Sequence, residues 1–512
     1  MSSFNVKRRS PYDIGASIST PAGEPLTSFN ELSVSELSPA GQGDFIYNIN
    51  PNVFKTLVYN GGTVTQANGI ASINSGVNVT GSADLALRRN LKYRPGMGSL
   101  ARLTCMFDTA ISGNVQLAGL GNAESGYFFA YYGTSFGIIH NETSQREIRK
   151  LTITTGAGTG NTTVTLNGVS VSVPMTGASN TVQTAYLLAQ YDYSNVGAGW
   201  IADAVSSSVF FISSRADSLG GAYSVANNSI VGTFSSIAVG SAGTQTFTSQ
   251  SAWNIDRLDG GASGGPNPSG MTINPQKGNV YQIGFQYLGF GNAFFAVENP
   301  ETGRVVPVHM IKNANARTTP VLKNPQASTR IVSANIGATT SVSPKTLSMA
   351  VFTEGEIRKL DPRFAYSTTF SSVNSSTYLA LFAIKANNVF NSQTSYGEFD
   401  ILRIAASNES TAKTLTVAFF KDVNLGNNPI NFVDINSNNS ICSIADFSAS
   451  PLSFSTTGKN PQLVFSIGAN AAQTIDLTPE EFVNNAGEII VVAIKTSGQI
   501  SGEVGINWFE QQ

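Results

Sequence analysis

From about residue 99 the chain is written in short runs whose apolar positions either alternate with polar ones or fill the run, a pattern that predicts strands and not helices. LARLTCMF, NVQLAGL, GYFFAYY and SFGIIH follow one another, broken by glycine, serine and asparagine. Their turn signals recur every eight to twelve residues or so, the rhythm of a sandwich or barrel. The stretch GLGNAESGYFFAYYGTSFGII tests a rival reading, in which Gly119, Gly121 and Gly126 cradle a phosphate. A dinucleotide fingerprint needs its glycines between a strand and a helix, whose N-terminus holds the pyrophosphate. Here Gly126 is followed by an aromatic run and, after Gly133, by a second apolar run. We therefore expect strands at 127–130 and 135–139 and no nucleotide.

The pattern changes at residue 148. EIRKLTITTGAG and NTTVTLNGVSVSVP predict hydroxyl-rich strands around the hairpin signal Asn167-Gly168. Asn180 then stands as an N-cap before Val182, Ala185, Tyr186 and Ala189 at helical spacing. Strands resume near 200–204 and 208–212. Residues 148–250 thus read as a small α+β module inserted into a discontinuous sandwich formed by 44–147 and 251–360. The sandwich resumes with WNIDRLDGG and with an apolar set of Val280, Ile283, Phe285, Tyr287, Phe290, Phe294 and Phe295. Core packing is the default for those aromatics, and a binding groove the alternative. A short helical exit is expected at 354–360.

Residues 361–512 read as a jelly-roll-like sandwich, with strands in YLALFAIKA, FDILRIAAS, TLTVAFFKD, INFVDI, QLVFSI, EIIVVAIKT and GEVGINWF, and a one-turn helix at 478–481. Residues 1–43 are rich in Pro, Gly and Ser without a sustained period, and read as an extended arm lying on other surfaces. The expected fold class is mainly β: antiparallel sandwiches, one lectin-like and one jelly-roll-like, with the α+β insert.

Composition refines this. Only 12% of the 512 residues are charged, against about 25% in an average soluble protein, while 41% are hydrophobic and 10% aromatic. Such a chain has ample material for cores and is solvated by hydroxyls and amides instead of ions. A net charge of −2 sets up no field that recruits nucleic acid or an anionic membrane. The one basic cluster, Lys7, Arg8 and Arg9, reads as a solvated terminal run. No secretory signal and no apolar run of about eighteen residues is visible, so the expectation is a soluble protein made in the cytosol.

Chemistry-bearing residues are few. The two cysteines, Cys105 and Cys442, exclude a disulfide framework and read as buried small hydrophobes. The two histidines, His140 and His309, read as isolated strand residues with satisfied imidazoles, which leaves no zinc site and no Ser-His-Asp or Cys-His engine. Glycoside hydrolysis needs two carboxylates about 5–10 Å apart, and the spacing of Glu124, Asp256, Asp259 and Glu298 singles out no pair. Asp256 and Asp259 in NIDRLDGG suit either calcium or Asx turns. No catalytic, cofactor-binding or metal-binding residue is assigned.

Two stretches, YRPGMGSLARLTCMFDTA…GLGNAESGYFFAYYGTSFGIIH and WNIDRLDG…SGMTINPQKGNVYQIGFQYLGFGNAFFAVENPETG, resemble virion structural proteins of large double-stranded DNA viruses, including algal giant viruses and phages. The closing block, ending SGEVGINWFEQQ, is similar to a C-terminal β-sandwich of such proteins. The resemblance implies a minor capsid, vertex-spike or fibre component that acts by assembly and not as an enzyme. Its implied partners are other capsid proteins and itself, as a homo-oligomer with a trimer expected for a spike or fibre. The alternatives are a carbohydrate-binding host-attachment adhesin that takes a host surface glycan, and a polysaccharide-degrading enzyme. No functional residues carry over from the resemblance.

Overall fold

The computed structural model describes residues 3–6, 16–19, 36–91, 93–176, 180–217, 219–261, 265–355, 362–426, 428, 430–478 and 482–511. The protein is antiparallel β almost throughout, with one α-helix among the described residues. Lys7, Arg8 and Arg9, and nearly all of the segments expected to be helical at 354–360 and 478–481, lie outside the described residues.

The first sandwich pairs a seven-stranded sheet with a six-stranded one. The seven strands, in chain order, are β1 (Phe54–Tyr59), β2 (Ser82–Leu87), β3 (Asn114–Gly121), β4 (Gly126–Tyr132), β5 (Ser135–Asn141), β6 (Gln245–Ser249) and β7 (Ser328–Asn335). Across the sheet they run β6-β5-β4-β3-β7-β2-β1. The strands expected at 127–130 and 135–139 are the central parts of β4 and β5. Strand periodicity sends alternate side chains to opposite faces. Tyr127 and Phe129 of β4 therefore point inward, and Phe129 lies 4.6 Å from Tyr281 and 5.3 Å from Phe295 of the opposite sheet. Phe128 and Ala130 point outward, into a small second cluster with Val115 and Ile139.

The expected arm of residues 1–43 is shorter at its inner end. Leu37–Asp44 is an edge strand of the six-stranded sheet, paired with Ser348–Glu354, because its alternating small residues fit a half-covered edge. Further out, Ser3–Val6 pairs with Ala16–Ser19. The aromatic set of 280–295 divides: Ile283, Phe285 and Phe295 are core, whereas Phe290 and Phe294 are exposed.

The insert leaves the sheet after β5 and returns into β6, its hydrogen-bonded neighbour. The two ends of the insertion are therefore adjacent, which lets a sandwich accept it without breaking its ladder. Inside are a four-stranded and a three-stranded sheet and helix α1 (Thr181–Gln190). Asn180 caps α1, its side chain accepting from the Gln183 N–H at 2.9 Å. Asn167 and Gly168 both take positive φ, 51° and 79°, as the two-residue turn between Gly160–Leu166 and Val169–Met175 requires. The third unit packs a five-stranded against a seven-stranded sheet around Trp508, Phe382, Phe399 and Phe419. Of INFVDI only Val433–Asp434 pairs as strand.

Candidate functional site

The outward set of the seven-stranded sheet is fixed by register. Lys55, Leu57 and Tyr59 of β1 face the same way as Ala86, Asp84 and Ser82 of β2, their cross-strand partners. Arg330, Val332 and Ala334 continue the row on β7, and Val115 and Leu117 on β3. Asn141 of β5 and Gln245 of β6 complete it. Sandwich strands ordinarily turn such a face to water. Here it is the floor of a cleft of about 570 Å³, roofed by Ser194, Ser214, Arg215 and Ala216 of the insert. A narrower cavity of about 150 Å³ adjoins it where the sandwich, the insert and the C-terminal unit meet.

Contacts between units hold these walls in place. Tyr59 donates its hydroxyl to the Gly197 carbonyl of the insert. Arg88 Nη1 lies 2.9 Å from Glu488 Oε1 of the C-terminal unit. Lys385 of that unit pairs with Asp203 of the insert, donates to the Ala204 carbonyl at 2.6 Å, and sits 4.6 Å over the Phe432 ring. Tyr186 of α1 packs into an apolar cluster otherwise made by the C-terminal unit, with Phe420 and Phe432.

The glycines of GLGNAESG serve this surface. A Cβ on Gly121 would lie 2.5 Å from Phe128 Cζ and 2.7 Å from the Ser125 carbonyl oxygen. A Cβ on Gly126 would lie 2.8 Å from Phe128 Cε2. The missing side chains let the Phe128 ring lie flat on the sheet, where it forms part of the cleft wall. Between the two strands Asn122 Oδ1 accepts from the Glu124 and Ser125 N–H groups at 2.8 and 2.9 Å, a turn closed by its own side chain.

The two histidines are not isolated. Strand register brings His140 and His309 to one pocket of about 290 Å³ at an end of the sandwich, together with Glu142 and Arg317. His140 stacks on Tyr127 at 4.6 Å, with Nε2 2.9 Å from the Val321 carbonyl and Nδ1 3.3 Å from Glu142. Burial holds its pKa down to about 4, so the ring is neutral near pH 7. Arg317 clamps Glu142 with two hydrogen bonds and lowers that carboxyl. His309 Nδ1 accepts from the Asn254 N–H at 3.2 Å, and burial lowers this imidazole too. Among the described residues neither ring is hydrogen-bonded to a hydroxyl or thiol, as a nucleophile–base pair requires.

The four carboxylates are dispersed. Glu124 is buried and accepts from the Arg146 N–H at 2.9 Å and from Gln145 at 3.2 Å. Asp256 is buried and accepts from the Leu258 and Ser269 N–H groups at 3.0 and 2.8 Å, and Asp259 from the Gly261 N–H at 3.0 Å. These are loop-closing turns of the kind two such residues form without a metal. Glu298 ends a strand of the other sheet. Among the described residues no group of three or more His, Cys, Asp or Glu side chains has metal-site geometry. Cys105 and Cys442 are buried free thiols, both raised by burial. No helix among the described residues is long and apolar enough to cross a membrane.

No protein-family model matches the chain, and neither does any curated protein sequence. Among solved structures it is similar to the carbohydrate recognition domain of Emp47p, at 11% identity and a TM-score of 0.27, over 62% of this chain and 97% of that one. It is similar also to a legume lectin-like domain from Entamoeba histolytica, at 9% identity and a TM-score of 0.22, over 58% and 89%. A triple jelly-roll protein of an archaeal virus turret aligns at 9% identity and a TM-score of 0.16, over 96% and 97%. At such TM-scores these likenesses carry no argument.

Proposed function

We propose that the protein is a carbohydrate-binding module of an assembled particle and that the roofed outer face of the seven-stranded sheet is its glycan site. The observation that carries this reading is the lining of the cleft. Ser82, Asn141 and Gln245 offer hydrogen-bonding groups beside the apolar surfaces of Leu57, Leu117, Phe128 and Val332. A sugar ring presents the same mixture, hydroxyls around its rim and C–H groups on its faces. The volume lies within the range of about 300–1,000 Å³ usual for small-ligand sites.

The particle we propose is a virion, with the chain as a minor capsid, vertex-spike or fibre component assembled in the host cytoplasm. What supports this second element is a large β protein whose two cysteines are free and buried, because a fold without disulfides suits assembly in a reducing compartment. The test of the first element is a glycan array probed with the full chain and with Val332→Trp. This substitution fills the floor of the cleft and leaves the inward face of β7 unchanged. Selective binding by the wild type that the variant loses, at unchanged circular dichroism, is the expected result. Equal binding by both proteins would move the site elsewhere. For the second element, the solution mass of the purified protein is expected to be that of a trimer.

A further inference from the structure

Four cationic side chains, Lys55, Arg88, Arg146 and Arg330, line the narrow end of the cleft against two carboxylates, Asp84 and Glu488. Arg330 is committed to Asp84. Glu488 serves two cations at once, Arg88 at 2.9 Å and Lys421 at 2.7 Å. Among the described residues Lys55 and Arg146 have no ion pair. Arg146 uses Nε on the Ser213 carbonyl at 2.5 Å. Lys55 is solvent-exposed at the mouth of this cavity, whereas Arg146 is buried, 7% exposed.

The surplus of positive charge is felt by Lys55. Partial desolvation by the protein packed around its stem, then the like charges of Arg146 and Arg88, bring its pKa from 10.5 down to about 8, against smaller opposing effects of Asp84 and Glu488. A second observation points the same way. Ser214 and Thr394, residues 8% and 7% exposed, border this space, and their hydroxyl oxygens are buried without a hydrogen-bond partner among the described residues. A buried arginine and an exposed lysine, neither with an ion pair among the described residues, beside two unpartnered hydroxyls that a rotation about χ1 would turn toward the cavity, are what a carboxylate or sulfate satisfies. The narrow end also opens onto the glycan cleft, because Leu57, Asp84, Asn122, Ala123, Ser214 and Arg330 are walls of both.

We infer that the narrow end is an anion seat and that the saccharide the cleft takes carries a carboxylate or sulfate, held between Lys55 and Arg146 while its rings lie along the floor toward Gln245. This rests on the carbohydrate-binding reading. Charge-assisted hydrogen bonds of this kind correspond to a preference of about ten- to a hundredfold for the acidic over the neutral form.

The test is titration calorimetry of the full chain, of Lys55→Met and of Lys55→Arg, against three probes: an oligogalacturonate, its methyl ester, and a heparin-derived tetrasaccharide. A parallel melt in sodium sulfate reads the seat without any sugar. The expected result is wild-type binding of the oligogalacturonate or the heparin fragment at least about tenfold tighter than of the ester. Lys55→Met should erase that difference and Lys55→Arg keep it, and which acidic probe binds tells carboxylate from sulfate. At low millimolar concentration sulfate should raise the Tm of the wild type more than that of Lys55→Met, because the general salting-out stabilisation is common to both. Equal wild-type binding of acid and ester, or an acid preference that survives in Lys55→Met, overturns the inference and leaves the carbohydrate reading standing. Stabilisation by sulfate with no binding of any saccharide, here or on the array, overturns the carbohydrate reading and the saccharide half of this one.

Discussion

Lys385→Met is the perturbation whose cost the structure defines most closely. The Lys385 ammonium and the Asp203 carboxylate are 4% and 7% exposed, so water screens neither. The ammonium also donates to the Ala204 carbonyl at 2.6 Å and lies 4.6 Å over the Phe432 ring. Methionine keeps most of the side-chain volume, so packing is nearly conserved. What remains is a buried carboxylate whose other oxygen still accepts from the Asn388 N–H at 2.9 Å. Breaking a buried pair by removing one partner costs about 3–5 kcal/mol, most of it the desolvation of the charge left behind. At about 2–4 °C per kcal/mol, the transition that separates insert from C-terminal unit should fall by about 6–20 °C.

Differential scanning calorimetry of the full chain reads this transition directly, and several peaks are to be expected of a chain with several units. Lys385→Met/Asp203→Asn is the decisive second variant. Asparagine keeps an acceptor for the Asn388 N–H and removes the stranded charge, so the double variant should recover a substantial part of the loss, as coupled neighbours do. A Lys385→Met melt indistinguishable from wild type would refute the reasoning. So would a double variant whose loss equals the sum of the two single losses, because the pair would then not be coupled.

Two further outcomes follow from the same geometry. Lys55 has a folded pKa of about 8, below its ordinary 10.5, so the folded state binds fewer protons than the unfolded one between those values and stability should rise with pH across that window. Water screens the exposed ammonium, so Lys55→Met should equal or only slightly exceed wild type in Tm at neutral pH, and any gap should close as pH rises through the window; a gap that widens would refute the assignment. Gly121→Ala should cost about 1–3 kcal/mol, since its Cβ would meet the Ser125 carbonyl oxygen at 2.7 Å as well as Phe128, and the rigid neighbour cannot yield by rotation. An unchanged melting temperature would show that the ring does not depend on the bare backbone.

Much of the fold was legible because strand period and turn chemistry are local. The aromatic runs after Gly126 and Gly133 are β4 and β5, Asn167-Gly168 is a hairpin turn, and Asn180 caps the helix. The inner end of the arm was not legible. Leu37–Asp44 becomes strand only because Ser348–Glu354, some three hundred residues later, offers it an edge. The pocket shared by His140 and His309 was hidden for the same reason, since it is made by strands of two different sheets.

The cleft was the least legible feature. SADLAL and FKTLVY each announce one buried and one outward face, and outward Ser82, Asp84, Lys55 and Tyr59 read as an ordinary solvated surface. Nothing in those strands encodes the roof. It exists because an insertion starts at the end of β5 and ends at β6, on the sheet's far edge from β1, so that the module is tethered beside the face it covers. The ties that hold its other side, Tyr59 to Gly197 and Lys385 to Asp203, join residues more than a hundred positions apart. A polar sheet face is unremarkable in water, but beside the roof the buried Arg146, which has no ion pair among the described residues, sits where the low local dielectric that makes a charge costly to bury also makes it strong toward a complementary ligand. The same argument ranks the parts of the molecule. Substitutions at the ties should loosen the roof and weaken every ligand of the cleft alike, whereas Lys55 should discriminate among ligands by charge alone.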